Sequence, residues 1–156
     1  MIAQASDESV VPLRETATPL GLLTWTLLGA GSAAVVYTAR QLHPDARGFG
    51  THQQLGLPPC EFHRMTGIAC PGCGLTTSFA HTSHGELLGA FKSHLMGPSL
   101  FAAVLILALF APYALVRRRP VSVIFHGSSA AMWLGITSVL GLLTWVLRLL
   151  HWLPSR

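Results

Sequence analysis

Three long stretches of this chain carry no Asp, Glu, Lys or Arg, and they constrain its fold more than any other feature. They cover residues 16–39, 93–116 and 120–147, which is 24, 24 and 28 residues. A helix rises about 1.5 Å per residue, so about 20 apolar residues cross the roughly 30 Å hydrocarbon core of a bilayer. Each stretch is long enough. We therefore predict an all-α integral membrane protein with about three transmembrane helices.

The composition of the 156 residues supports a membrane location. Hydrophobic residues make up 51% of the chain and charged residues only 10%. That balance excludes a soluble globular enzyme, a disordered chain and a small disulfide-rich secreted protein. The net charge of +4 does not indicate nucleic acid, because the basic residues are scattered except for Arg117, Arg118 and Arg119. Such a cluster at the end of an apolar helix is typical of a topology anchor that contacts lipid headgroups.

We predict a polar tail at residues 1–18 followed by a single membrane domain at residues 19–156. The three spans of that domain are expected near residues 20–38, 96–116 and 127–147. Residues 40–94 are punctuated by Gly and Pro and are too polar for hydrocarbon, so we expect them to lie outside the bilayer. From Leu75 onward, apolar residues recur at roughly helical spacing. This pattern predicts one amphipathic helix at the membrane interface.

Small residues in the first and third stretches predict surfaces where helices approach closely. These positions are Gly29, Gly31, Ala33, Ala131 and Gly135. Small side chains let two helix backbones come together and gain van der Waals contact within a membrane. The positions either pack the three spans against one another or dock another membrane protein or a second copy of the chain. We expect at least one face to dock such a partner, because three helices leave most of their perimeter open.

All three cysteines fall within fourteen residues of the predicted loop, at Cys60, Cys70 and Cys73. Together with His63 they make a Cys₃His set with the two-residue spacings that zinc sites use. A redox dithiol is a second interpretation. The third is a disulfide between Cys60 and Cys70 or Cys73 that holds the loop over the membrane, and the sequence favours this structural interpretation over the other two. If a helix begins near Leu75, Cys73 lies at its amino end, where unpaired N–H groups are expected to lower the thiol pKa.

Two histidines are candidate accessory ligands. His81 and His84 lie three residues apart on the predicted interfacial helix, a separation that lets two imidazoles meet one ion. Polar side chains facing water at the interface explain the pair equally well. No cofactor follows from the sequence beyond a metal such as zinc at the cysteines.

The residues around the cysteines resemble an uncharacterised family of small bacterial membrane proteins. The family pattern is a lone Cys, a Thr-Gly about six residues on, and then Cys-Pro-x-Cys-Gly-Leu-Thr. A downstream Gly-x-x-x-x-Ala and a Pro that opens the next span complete it. This chain carries it as Cys60, Thr66-Gly67, Cys70-Pro71-Gly72-Cys73-Gly74-Leu75-Thr76, Gly85, Ala90 and Pro98. The resemblance implies a bacterial cytoplasmic-membrane protein with about three spans and a domain of unknown function. The chain departs from the family at Thr77, where Arg is common, and at Gly97, where Asn is common.

Two functions are predicted. The favoured one is a non-catalytic subunit or assembly factor of a membrane complex, with a structural Cys-Pro-Gly-Cys loop. It is favoured because no acid–base set is evident and the spans hold no carboxylate that could relay protons or bind a cation. The second is a thiol-redox or metal-binding membrane protein that uses the cysteines. We expect the arginine cluster to face the cytoplasm and the cysteine loop to lie on the outer face of the bacterial inner membrane.

Overall fold

The computed structural model describes residues 18–121 and 128–150, and these residues contain only helices, turns and loops. The helices are α1 (Pro19–Gln41), α2 (Glu61–Thr66), α3 (Leu75–Ser83), α4 (Leu87–Ser93), α5 (Gly97–Val116) and α6 (Ser128–Leu149). A short 3₁₀ helix covers Thr51–Leu55. The all-α prediction is confirmed for this part of the chain. Apart from Thr18, the polar tail predicted at residues 1–18 lies outside the described residues.

Two of these helices, α1 and α5, are long and apolar enough to cross a membrane. Few of their side chains are buried within the chain, so most of each helix surface faces outward. The third predicted span is helical as well, and the described side chains of α6 form an apolar stretch over Met132–Leu147. That stretch is shorter than the other two, so a third membrane crossing stays a prediction.

Helices α1 and α5 pack along each other through small residues and one tryptophan. Gly29 lies so near Ala111 that a Cβ atom on the glycine would stand 2.7 Å from the Ala111 Cβ. Trp25 is fully buried beside them and meets the ring of Phe110 edge-on, with 5.6 Å between ring centroids. Its Nε1 donates a hydrogen bond to the carbonyl of Arg119 at 2.9 Å. Gly29 therefore serves packing within the chain.

The other small residues singled out in the sequence lie away from this contact. A Cβ atom on Gly31 or Gly135 would meet no described atom within 4 Å. Ala33 is exposed on the surface of α1. These three positions do not pack the described helices together. Ala131 belongs to α6, but its side chain lies outside the described part of the structure.

The segment between α1 and α5 is more broken than the sequence predicts. The single amphipathic helix expected from Leu75 onward is wrong, because the chain turns at residues 84–86 and forms α3 and α4 instead. Gly85 has a φ of +83°, a left-handed conformation that glycine tolerates and that ends a helix. The N–H of Glu86 then donates back to the carbonyl of His81 at 2.9 Å.

The arginine cluster and the cysteine loop lie at opposite ends of the α1–α5 pair. At one end Trp25, near the start of α1, reaches the Arg119 carbonyl just after α5. At the other end Arg40, near the end of α1, donates to the carbonyl of Ser83 in α3 at 2.7 Å. Gly97, which opens α5, lies directly against Ser78 of α3. The two features are thus separated by the length of the helix pair.

Replacing Gly29 with Ala should destabilise the helix pair, because the new methyl group overlaps Ala111. Overpacking of this kind costs about 1–3 kcal/mol. Gly31→Ala is the matched control, since it adds the same methyl group to the same helix in open space and improves helix propensity by up to about 1 kcal/mol. Unfolding of the detergent-purified protein, by heat or by titration with a denaturing detergent, measures both. Equal effects of the two variants would contradict the packing described for Gly29.

Candidate functional site

The three cysteines converge beside the α1–α5 pair. Their Sγ atoms all lie within 4.8 Å of one another. All three residues are thiols, and Cys70 Sγ donates a hydrogen bond to Cys73 Sγ at 2.9 Å. Within residues 18–121 and 128–150, no other group of three His, Cys, Asp or Glu side chains brings its ligand atoms together in this way. The sequence cluster is therefore also a spatial cluster.

Two tight turns position the sulfur atoms. In the first, the N–H of Cys73 donates to the carbonyl of Cys70 at 3.0 Å, and the N–H of Leu75 donates to the carbonyl of Gly72 at 3.1 Å. These bonds close the Cys-Pro-Gly-Cys segment immediately before α3. In the second, Cys60 occupies the position before the first residue of α2. Each turn presents its sulfur to the other.

The Cys70 turn is also held from outside by two side chains that the sequence does not single out as site residues. The carbonyl of Pro71 lies 2.9 Å from His94 Nε2, and the carbonyl of Ala69 accepts from Trp145 Nε1 at 3.2 Å. His94 is 23 residues from Pro71 in the sequence, and Trp145 is 76 residues from Ala69. No local spacing in the sequence connects them to the cysteines.

A cavity of about 420 Å³ opens beside the sulfur atoms. Besides the cysteines, its lining includes a stack of three side chains in which Arg47 covers the ring of Phe49 at 5.3 Å and Phe49 meets His63 edge-on at 5.2 Å. Arg47 also pairs with Asp45 at 2.7 Å, and its hydrogen bonds lower the pKa of that carboxyl group. The stack fixes the His63 ring at the wall of the cysteine cavity.

His63 offers one unused nitrogen to this site. Its Nδ1 is buried and makes no hydrogen bond with any described residue. A buried polar atom without a partner costs about 1–3 kcal/mol relative to one that is paired. His63 also lines the same cavity as the three cysteines. Its ring nitrogens nevertheless lie outside the group of ligand atoms that the three cysteines form, so the His63 ring has to move toward the sulfur atoms to join them.

The thiol groups of Cys60 and Cys73 have opposite tendencies to ionise. The backbone N–H of His63, aided by the neighbouring thiols, lowers the pKa of Cys60. Burial, reinforced by the adjacent Cys70 thiol, raises the pKa of Cys73 to about 12. Helix α3 does begin at Leu75 as expected. The prediction that its amino end lowers the pKa of Cys73 is nevertheless wrong, because burial outweighs the helix terminus.

The two candidate accessory histidines make contacts of their own away from the sulfur cluster. His81 Nδ1 lies 2.6 Å from a carboxylate oxygen of Glu86. His84 Nε2 lies 3.1 Å from the carbonyl of Leu42, and its Nδ1 lies 3.2 Å from Arg40 Nη1. The structure does not bring either ring into the group formed by the cysteines. Their contacts join α3 to its neighbours.

Alkylation should distinguish the cysteines in the reduced, metal-free protein. Near neutral pH, iodoacetamide should modify Cys60 first and Cys73 last, at least about a hundredfold more slowly, because each pKa unit changes the thiolate fraction tenfold. As the pH rises, the Cys60 rate should level off first, while the Cys73 rate keeps increasing up to its pKa of about 12. Peptide mass mapping after timed quenching gives each rate. Denaturant should abolish the difference, and a native protein that loses Cys73 first would contradict the geometry.

Comparison with known proteins places the cysteines in a recognised region. No curated protein and no solved structure matches the chain. Residues 60–108 match the model of a family described as a protein of unknown function, DUF2752. The match covers the three cysteines, α2 to α4 and the first part of α5. The resemblance predicted from the Cys-Pro-x-Cys-Gly-Leu-Thr motif is confirmed: residues 60–108, which include the cysteine cluster, match a domain of unknown function.

Proposed function

We propose that this chain is a membrane protein that binds a soft metal ion, with zinc as the first candidate, through Cys60, Cys70 and Cys73. The observation that carries the proposal is that two separate turns bring three sulfur atoms within 4.8 Å of one another. Zinc binds thiolates at about 2.3 Å, which puts tetrahedral ligands about 3.8 Å apart. The Cys70–Cys73 separation of 2.9 Å needs to widen by roughly 1 Å to reach that spacing. Small side-chain rotations supply such a change.

His63 supplies the fourth ligand in this proposal. Its buried Nδ1 lacks a hydrogen-bond partner among the described residues, and coordination would satisfy it. A Cys₃His set with four protein ligands is typical of structural zinc sites, in which no position stays open for water or substrate. The proposed role is therefore metal binding that stabilises the loop or stores the ion. It requires no catalytic step.

Zinc should bind the reduced, detergent-purified protein in a 1:1 ratio. Cobalt substitution should produce thiolate-to-cobalt charge-transfer bands and the visible bands of a tetrahedral ion. Cys60→Ser and Cys70→Ser should each lower zinc affinity by more than about a hundredfold, since even partners outside the ligand set cost 10–100-fold. Competition with a chromophoric chelator measures the affinity.

His63→Gln tests the fourth ligand and should weaken binding while changing the visible cobalt bands. His52→Gln is its matched control, because His52 lines the same cavity and its Nε2 lies near the carbonyl of Pro58, at 3.2 Å. The control should bind zinc like the wild type. A native protein that carries no metal and maps with a disulfide between two cysteines would overturn the proposal in favour of a structural or redox bond.

We also propose that the site lies at the outer face of the bacterial inner membrane, carried by three spans. Helices α1 and α5 have the length and composition of spans, and α6 provides the third. Arg117, Arg118 and Arg119 lie at the opposite end of the helix pair from the cysteines. Clustered arginines favour the cytoplasmic side, which would put the cysteines on the outer side. In this proposal the chain is embedded in the lipid bilayer, which is its main binding partner.

This orientation predicts that a membrane-impermeant maleimide labels the cysteines of intact cells after mild reduction and metal removal. In a variant with all three cysteines replaced by Ser, Arg119→Cys should be labelled only after lysis. That variant is the control, because it places the reactive group at the other end of α5. Labelling of the native cysteines only after lysis, with labelling of Arg119→Cys in intact cells, would reverse the orientation.

The role of non-catalytic subunit or assembly factor is the second candidate. The feature that favours it is the open space around Gly31 and Gly135, which leaves two helix surfaces for close approach. Either another membrane protein or a second copy of the chain would fit there. A metal-bound loop and a docking surface are compatible, because they occupy different parts of the molecule.

A further inference from the structure

We infer that His94 and Trp145 are positioning residues of the cysteine site, which hold Cys70 in metal-binding geometry from the ends of the long helices. The inference rests on the proposed metal function and extends it to two residues outside the ligand set. His94 lies between α4 and α5, and Trp145 lies in α6. Both side chains act on the backbone of the cysteine turn.

The two contacts lie on either side of one ligand. Trp145 Nε1 donates to the carbonyl of Ala69 at 3.2 Å, directly before Cys70. His94 Nε2 lies 2.9 Å from the carbonyl of Pro71, directly after Cys70. A carbonyl oxygen only accepts, so His94 carries its proton on Nε2. The peptide unit that precedes Cys70 and the peptide unit that follows Pro71 are therefore both anchored from outside the turn.

The turn needs outside anchors because its own sequence supplies few. Pro71 has no N–H to donate, and Gly72 has no side chain. Two internal bonds close the turn, from the Cys73 N–H to the Cys70 carbonyl and from the Leu75 N–H to the Gly72 carbonyl. The carbonyls of Ala69 and Pro71, on either side of Cys70, are held by Trp145 and His94. Residues that hydrogen-bond to a metal's ligands, without binding the metal themselves, commonly control metal affinity by orienting those ligands.

The anchors are themselves held firmly. His94 is fully buried. Ser78 Oγ donates to the carbonyl of Ala90 at 2.8 Å and lies 3.4 Å from the carbonyl of His94. The N–H of Leu95 donates to Thr144 Oγ1 at 3.2 Å, and Thr144 immediately precedes Trp145 in α6. These hydrogen bonds connect α3, the end of α4, the link between α4 and α5, and α6, and both anchors lie within them.

Four variants of the full chain test the inference. His94→Ala and Trp145→Phe each remove one donor, and they should lower zinc affinity by about 10–100-fold and alter the visible cobalt bands. His94→Gln keeps an N–H donor at similar reach and should restore affinity to within about threefold of wild type. In the metal-free protein, the Cys73 and Leu75 amides should exchange hydrogen faster in His94→Ala and Trp145→Phe than in His94→Gln.

The controls remove the same groups elsewhere. His84→Gln changes a histidine near the Leu42 carbonyl, and Trp25→Phe removes an indole donor from the Arg119 carbonyl at the far end of the bundle. Both should bind zinc like the wild type. Wild-type affinity, cobalt bands and amide exchange in both His94→Ala and Trp145→Phe would overturn the inference, as would failure of His94→Gln to rescue.

The two proposals fail in different ways. A wild-type protein that binds no zinc overturns the metal function, and the amide exchange of the metal-free variants then decides alone whether the anchors position the turn. If His94→Ala does not fold, Trp145→Phe decides, because it retains an aromatic ring of similar size and removes only the donor from the Ala69 carbonyl. Unchanged exchange at Cys73 and Leu75 in that variant would overturn the positioning role of Trp145.

Discussion

The close contact between α1 and α5 is the constraint on which the rest of the structure depends. Gly29 and Ala111 bring the two backbones together, and the buried ring of Trp25 fills the space beside them. Once the two helices are aligned, their ends are paired. At one end the chain after α5 is tied to α1 through the Arg119 carbonyl. At the other end, everything between the end of α1 and the start of α5 has to fold across the ends of these helices.

Short hydroxyl side chains form the buried contacts between the 3₁₀ helix and α3 in that region. Thr51 and Thr77 are both fully buried, and their Oγ atoms lie 2.8 Å apart. Thr51 Oγ1 also accepts from the N–H of Asp45 at 3.1 Å. A threonine hydroxyl both donates and accepts, so it can satisfy neighbours in a small buried space where an unpaired charge would be costly. In this chain the position after the Leu-Thr pair, Thr77, thus links α3 to the 3₁₀ helix.

The parts of the structure that the sequence predicted well depend on local pattern. The lengths of α1 and α5 follow from uninterrupted apolar stretches, and the grouping of the cysteines follows from their spacing. The break between α3 and α4 was missed because apolar residues recur at helical spacing on both sides of Gly85. Gly85 turns the chain between α3 and α4 without interrupting the spacing of the apolar residues. Local periodicity does not report such a turn.

The features that the sequence could not supply depend on distant residues. The pKa of Cys73 was predicted in the wrong direction because its burial arises from the packing of the surrounding chain, while the helix terminus beside it is visible in the local sequence. The bonds from His94 and Trp145 to the cysteine turn span 23 and 76 residues. Such contacts follow from where the tertiary fold places the α4–α5 link and α6 beside the cysteine turn. They are accessible only once the tertiary arrangement is known.

The burial of Cys73 bears on the choice between metal and redox chemistry at the cysteines. In a catalytic dithiol, the attacking cysteine has to form a thiolate readily near neutral pH. Cys73, with a pKa of about 12, is poorly suited to that attacking role. A bound metal ion changes the situation, because its own charge deprotonates a coordinating thiol and offsets the cost of burying the thiolate. The same burial that makes Cys73 a poor attacking thiol therefore suits a ligand that releases its proton only when the ion is present.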